Sequence, residues 1–210
     1  MKRLAIVGSA DLGQLIAYHA VNDGHYAVTG FFDDFLQQGT MVNGIPILGK
    51  VGDAEKNFNA GEFDELMIGI GYKHFESRKK IFEKLAAGIP IGKIIHSSCY
   101  VDSSCNIGNG VFILPGCILD RNVTIGENVL LNTGCLVAHD SSVNAHTFLS
   151  PGVTVAGFVN IGSCCNIGIN TTIIDNIRIA DETQTGGGTV VIHNIDAPGL
   201  YVGNPARLIR

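Results

Sequence analysis

The chain has 210 residues, 46% of them hydrophobic and 16% charged, a balance that excludes extensive disorder and leaves room for one large or two small domains. A formal net charge of −5 and a pI of 5.7, without a basic run, argue against nucleic acid or an anionic membrane surface as partner. No apolar stretch approaches the ~20 residues of a membrane helix, and Gly8 and Asp11 interrupt the opening apolar run too early for a signal peptide, so a soluble cytoplasmic protein is expected.

Residues 2 to 7 read as a short apolar strand ending at Gly8. Gly8-Ser9-Ala10-Asp11-Leu12-Gly13 keeps the first and third glycines of a dinucleotide-type loop and leads into a helix over about residues 11 to 22, with Leu12, Leu15, Ile16 and His19 on one face. The N-terminus of such a helix offers free backbone N–H groups and partial positive charge to a phosphate. Residues 26 to 32 form a second strand that ends in Asp33-Asp34, where an acidic side chain can accept from a ribose hydroxyl or a base N–H. Two readings stand here, ordinary turn glycines or a nucleotide-phosphate site. Residues 43 to 49 read as a loop returning to the sheet, 64 to 70 as a third strand and 73 to 87 as a charged amphipathic helix closed by Gly88 and Pro90. These segments make a Rossmann-like α/β domain over residues 1 to 93, whose size suits a mononucleotide better than a complete dinucleotide fold.

From Ile95 the pattern changes. An aliphatic residue returns at every sixth position (Val101, Ile107, Ile113, Leu119 and onward to Ile179), lapses at Thr185 and resumes at Val191, with a small or β-branched residue four places after each. That period matches neither an amphipathic helix nor an alternating strand. It matches a three-sided β-solenoid in which residues 18 apart stack in columns, roughly 4.8 Å from coil to coil. Gly and Asn (Gly108, Gly126, Asn128, Gly162, Gly168) are expected at corners that need left-handed backbone. Five of the six cysteines (Cys99, Cys105, Cys117, Cys135 and Cys165) occupy the small inward position, where a free thiol acts as a small hydrophobe, and only Cys164 is out of register. The solenoid is assigned to residues 94 to 196, and the Gly/Pro-punctuated tail, 197 to 210, to a cap over its last coil.

One group of outward residues stands apart from bland Asn, Ser and Thr: Asn132-Thr133, Ala138-His139-Asp140 and His146. His139 takes the third place of its hexapeptide, an outward slot. An imidazole, with its ordinary pKa of ~6.5, suits proton acceptance from an amine or hydroxyl, and Asp140 is placed to orient it. Solvated decoration is the competing reading. Gly157 lies one coil further along the His139 column, and its backbone N–H is a candidate oxyanion donor.

The solenoid, the preceding nucleotide-type domain, Phe32-Asp33-Asp34, Leu131-Asn132-Thr133, Ala138-His139-Asp140, Ala156-Gly157, Gly186-Gly187-Gly188 and Val202-Gly203-Asn204-Pro205-Ala206 together resemble the bacterial hexapeptide-repeat nucleotide-sugar N-acetyltransferases of bacillosamine, perosamine and viosamine synthesis. The sialic acid O-acetyltransferases are close by. The resemblance spans essentially the whole chain. It implies a homotrimer of left-handed β-helices with active sites between subunits, acetyl-CoA as co-substrate, no metal, and a nucleotide-linked 4-amino-deoxysugar as acceptor. Carried over by residue, it implies His139 as base and Asp140 as its partner. Gly157 donates to the thioester carbonyl, Ile169 and Gly187 line the pantetheine channel, and Asn204, Pro205 and Arg207 meet the adenosine end. Asn132 lies near the sugar, and Gly8, Ser9, Asp33 and Asp34 hold the nucleotide. Leu12 and Phe148 stand where relatives commonly carry histidines, and Asp140 where many carry Glu.

Three alternatives follow from other classes. One is O-acetylation of a sialic acid or similar sugar with the same base and co-substrate. A zinc-dependent hydratase on the same solenoid needs three histidines at one point, and His139, His146, His96 and His193 do not supply them by spacing. A non-catalytic nucleotide-sugar scaffold would bind the sugar nucleotide and never acetyl-CoA.

Overall fold

The protein is described by a computed structural model covering residues 1–210. The chain divides into two compact units, Met1–Ile94 and Ile95–Arg210. No helix is long and apolar enough to cross a membrane.

The first unit is a five-stranded sheet built from β1 (Arg3–Val7), β2 (Ala27–Phe32), β3 (Met41–Val42), β4 (Ile45–Gly49) and β5 (Glu65–Ile68), in the order β3-β4-β2-β1-β5. All pairings are parallel except the β3–β4 hairpin. The helices are α1 (Asp11–Asn22), α2 (Ala54–Asn59) and α3 (Phe75–Ala86). Three expectations need correction. The stretch from 43 to 49 is not a loop: Asn43 and Gly44 adopt φ of 50° and 80°, the two left-handed residues of a tight hairpin turn, and the chain after them pairs with β2 as a strand. The third strand ends at Ile68 rather than continuing to residue 70. Helix α1 turns Gly13, Ile16, Ala17 and Ala20 inward, so that of the expected face Leu12, Leu15, Ile16 and His19 only Ile16 is buried. The reason is at its first turn, where a Cβ on Gly13 would sit 1.9 Å from the Gly8 carbonyl oxygen and one on Gly69 would sit 2.6 Å from Gly13 Cα. Small residues bring the helix close to the ends of β1 and β5, and that close approach selects its buried face.

The second unit is a left-handed parallel β-helix. Two-residue strands stack in register on three sides. Tyr100, Ile118 and Leu136 align on one, Asn106, Thr124 and Ser142 on the next, and Phe112, Leu130 and Phe148 on the third. The inward aliphatics and cysteines form one continuous core from Val111 to Ile195, each fully buried Ile, Leu or Val contributing about 1.5–3 kcal/mol. Burial pushes the Cys165 thiol up to about 12, in keeping with a packing role.

The corners lie elsewhere than Gly108, Gly126, Gly162 and Gly168. Left-handed backbone falls at the fourth place of the hexapeptide, at Asn122 (φ 58°), Asn128 (55°), Asp140 (58°), His146 (63°), Phe158 (58°) and Cys164 (56°) among others. The glycines at the second place are required for space. A Cβ on Gly126 would come 2.7 Å from Ala145 N, and one on Gly162 would come 2.5 Å from Asp181 N, each on the next coil. The tail extends the third side: Gly199–Val202 pairs in parallel with Thr183–Thr185, and Arg207–Leu208 folds back antiparallel.

Candidate active site

His139 and Asp140 occupy a corner of the solenoid. The left-handed backbone of Asp140 turns its carboxylate back toward its neighbour, so that two consecutive side chains meet. His139 Nδ1 lies 3.0 Å from Asp140 Oδ2. With the proton on Nδ1, the imidazole leaves Nε2 as a proton acceptor. The other carboxylate oxygen, Oδ1, accepts from Asn122 Nδ2 at 2.9 Å, and the Arg121 guanidinium stands 3.6 Å from Oδ2. The Asn122 hydrogen bond first, then that of His139, and more weakly the Arg121 charge hold the Asp140 carboxyl below its ordinary range. Beneath the dyad, Ser141 Oγ donates to Ala156 O at 2.8 Å and accepts from Val159 N at 3.1 Å, tying this corner to the next coil.

Gly157 lies directly under the imidazole. A Cβ there would come 2.7 Å from His139 Cε1 and 2.9 Å from Nε2, so the ring occupies the volume a side chain would take. The backbone of Gly157 is not left-handed, and glycine is needed here for room alone. Phe158 adds the other wall. Its ring meets that of His139 edge to face, with centroids 5.2 Å apart and planes at 86°, while 56% of the residue stays exposed. Asn122, Arg121 and Phe158 escaped the sequence reading. Asn122 and Phe158 are one coil either side of Asp140, so the column arithmetic that linked His139 to Gly157 would have found both.

The first unit holds a cleft of about 400 Å³ whose lining includes Gly8, Ser9, Asp33, Asp34, Phe35 and His74. Asp33 is buried, and its oxygens face inward contacts: Oδ2 accepts from Ser9 N at 3.1 Å and Ser9 Oγ at 2.5 Å, and Oδ1 accepts from Phe35 N at 2.8 Å. Burial pushes this carboxyl up, but the donors from Ser9, Phe35 and Leu36 outweigh it and hold it below its ordinary range. Asp33 therefore fastens the Gly8–Ser9 turn to the end of β2. Asp34 is exposed and accepts from Val51 N at 3.0 Å through Oδ1. Phe35, 95% exposed, stands at the rim. The buried Arg78 donates to the carbonyls of Ile68 at 2.6 Å and of Ile70, a lining residue of the cleft, at 2.9 Å.

The remaining residues singled out from sequence are spread around the solenoid. Asn132 lies on the side preceding His139 and accepts from Thr133 N at 2.8 Å. Ile169 is 51% exposed, and a Cβ on Gly187 would come 2.9 Å from its Cγ2, so this pair repeats the side-chain-over-glycine stacking of His139 and Gly157. Asn204, Pro205 and Arg207 are exposed in the tail. His146 is buried and its Nδ1 lies 3.0 Å from Asn128 Nδ2, in a different column from the dyad.

This fold and site define an acyltransferase of the hexapeptide-repeat class. The sequence model of the bacterial transferase hexapeptide (six repeats) matches residues 104–138, and that of the PglD N-terminal domain matches residues 3–85. With the two in this order, the chain is similar to the hexapeptide-repeat nucleotide-sugar acetyltransferases. Among solved structures, the acetyltransferase domain of PglB from Neisseria gonorrhoeae is 26% identical, with each chain covered over 100% and a TM-score of 0.90. A histidine-to-alanine variant of GDP-perosamine N-acetyltransferase from Caulobacter crescentus, solved with CoA and GDP-perosamine, is 24% identical over 100% of this chain and 98% of that one, with a TM-score of 0.93. WeeI from Acinetobacter baumannii is 24% identical over 100% of both chains, with a TM-score of 0.85. No curated protein matches the sequence.

Proposed function

We propose that the protein transfers an acetyl group from acetyl-CoA to the amino group of a nucleotide-linked 4-amino-deoxysugar. The observation that carries this reading is the His139–Asp140 dyad standing over the bare backbone of Gly157. The acceptor nitrogen attacks the thioester carbonyl carbon while His139 Nε2 takes its proton, and Asp140 stabilises the imidazolium that forms. The C–S bond breaks, and the thiolate of CoA leaves with the proton returned from the imidazolium. The Gly157 N–H, which has no acceptor within the chain, is the donor to the oxyanion. Direct attack needs no acyl-enzyme and no metal.

The exposed Ile169 beside Gly187 offers an apolar strip to the pantetheine arm, and Asn204, Pro205 and Arg207 are assigned to the adenosine end. The nucleotide is assigned to the cleft in the first unit, with Gly8 and Ser9 at the phosphates and Asp34 toward the base. Asp33 holds the turn in shape. Asn132 is assigned to the sugar, within a homotrimer whose sites lie between subunits. Support for the donor comes from the N. gonorrhoeae domain, solved also with acetyl-CoA, and for the acceptor from the C. crescentus enzyme, solved with GDP-perosamine.

The test is CoA release from acetyl-CoA against a panel of UDP-, dTDP- and GDP-linked amino sugars, with sialic acid as a hydroxyl acceptor. Turnover of one amino sugar with an acetamido product is expected. Turnover confined to the hydroxyl acceptor, or binding of sugar nucleotide without any CoA release, would overturn the reading.

A further inference from the structure

A chain of hydrogen bonds climbs through three coils to the dyad. Asp102 Oδ1 accepts from Ser104 N at 2.9 Å and from Ser104 Oγ at 2.6 Å. Ser104 Oγ in turn accepts from Asn122 N at 2.8 Å. Asn122 Nδ2 then donates to Asp140 Oδ1 at 2.9 Å, and Asp140 Oδ2 meets His139 Nδ1 at 3.0 Å. Asn122 and Asp140 share left-handed corners, both at φ 58°, so their side chains leave the backbone in the same direction, one above the other. Asparagine tolerates that conformation and carries a donor of the right length.

We infer that Asn122 is a positioning residue of the acetyl-transfer site, fixing the Asp140 carboxylate so that its second oxygen holds the His139 imidazole with Nε2 toward substrate. The inference rests on the functional reading above. Other asparagines of the solenoid make comparable bonds without this consequence: Asn160 Nδ2 donates to Ser142 Oγ at 2.7 Å, and Asn176 Nδ2 to Asp175 at 2.8 Å, neither of which touches His139. A carboxylate held by one bond to an imidazole can swing about its Cα–Cβ and Cβ–Cγ bonds. A second bond at the opposite oxygen fixes its plane. Arg121, 3.6 Å from Oδ2 and largely exposed, adds charge and little direction. Around the imidazole the remaining neighbours are uncharged, Phe158 at its edge and Gly157 below. The charged groups that bear on its proton are therefore Asp140 and Arg121.

Two substitutions separate positioning from mere packing. Asn122→Gly removes the donor and is at ease at positive φ. Asn122→Asp keeps shape and backbone preference but faces Asp140 with an acceptor and a negative charge. Loss of the donor is expected to lower kcat/KM by about tenfold, since sub-ångström misplacement of a catalytic group is costly. With the carboxylate no longer aimed at the ring, the acidic limb of the pH–rate profile moves to lower pH. Asn122→Asp moves that limb to higher pH, because a second carboxylate favours the imidazolium. The same two shifts are expected in an NMR titration of the His139 Cε1–H signal in the full-length protein, assigned by its absence in His139→Asn. This second readout needs no acceptor substrate. If no acetyl transfer is found at all, the functional reading fails while the titration still decides whether Asn122 governs His139. Should both variants keep the wild-type His139 titration and acidic limb, with rates unchanged or lowered equally at every pH, Asn122 is a structural rung and the inference is wrong. Melting temperature confirms that each variant is folded.

Discussion

Replacing Gly157 by Ala places one methyl group under the His139 imidazole. The added Cβ would lie 2.7 Å from His139 Cε1, 2.9 Å from Nε2 and 3.3 Å from Nδ1. Ordinary carbon contacts lie at about 3.5–4.0 Å, so the near edge of the ring must retreat by about 0.8–1.3 Å. His139 is half-exposed, and the ring can move outward. The stability cost is that of an off-rotamer side chain, about 0.5–1.5 kcal/mol. No backbone strain adds to it, because Gly157 is not left-handed. The rate is the sensitive quantity. A displacement of ~1 Å at a general base costs about a hundredfold, through loss of the Asp140 contact on one side and of the aim of Nε2 on the other. The assay is kcat/KM for CoA release, with melting temperature as control. A double-mutant cycle completes it. On a His139→Ala background, Gly157→Ala should cost nothing more, since the only clash is with the ring. A Gly157→Ala enzyme with kcat/KM within about twofold of wild type would refute the argument, and a full additional loss on the His139→Ala background would move the role of Gly157 from space to substrate contact.

Four further outcomes are expected. His139→Asn should keep its melting temperature within that expected of an exposed substitution, about 0.5 kcal/mol, yet lose ~10²–10⁴ in rate, and its deficit should shrink at high pH, where more acceptor amine is already neutral; equal rates near neutrality would remove His139 as the base. Ser9→Ala takes a donor from Asp33, whose carboxyl is depressed in the folded state, a contribution present above the unfolded value of ~3.9 and lost as pH falls through the folded one. Circular dichroism should therefore show acid unfolding of that variant at higher pH than wild type, and an unmoved midpoint would mean the Ser9–Asp33 bond is energetically idle. A fragment of residues 95–210 should bind acetyl-CoA by calorimetry but not the sugar nucleotide; undiminished sugar-nucleotide binding would count against the cleft of the first unit. Light scattering of the intact protein at micromolar concentration should give a trimer, and a monomer would count against a site shared between subunits.

The sixfold spacing of aliphatic residues determined the solenoid and the side each residue faces, because a triangular coil leaves one inward place per six and 18 per turn. The same arithmetic placed Gly157 beneath His139 and assigned five cysteines to the interior. It could not assign backbone conformation within the hexapeptide: glycines at the second place were read as corners, whereas contact with the next coil keeps them small, and the left-handed places fall to Asn122, Asp140, His146 and Phe158. That difference matters at the site. Whether His139 and Asp140, adjacent in sequence, point together depends on the sign of φ at Asp140, which no local preference of Asp fixes but stacking on Asn122 accommodates. In the first unit the strand–turn–helix order around Gly8–Gly13 and the acidic pair Asp33-Asp34 at the end of the next strand were legible. Only the folded chain showed that Asp33 spends its oxygens on Ser9 and Phe35 while Asp34 faces outward, because the division of labour between two neighbouring carboxylates is set by which backbone N–H groups the tertiary fold brings within ~3 Å of each.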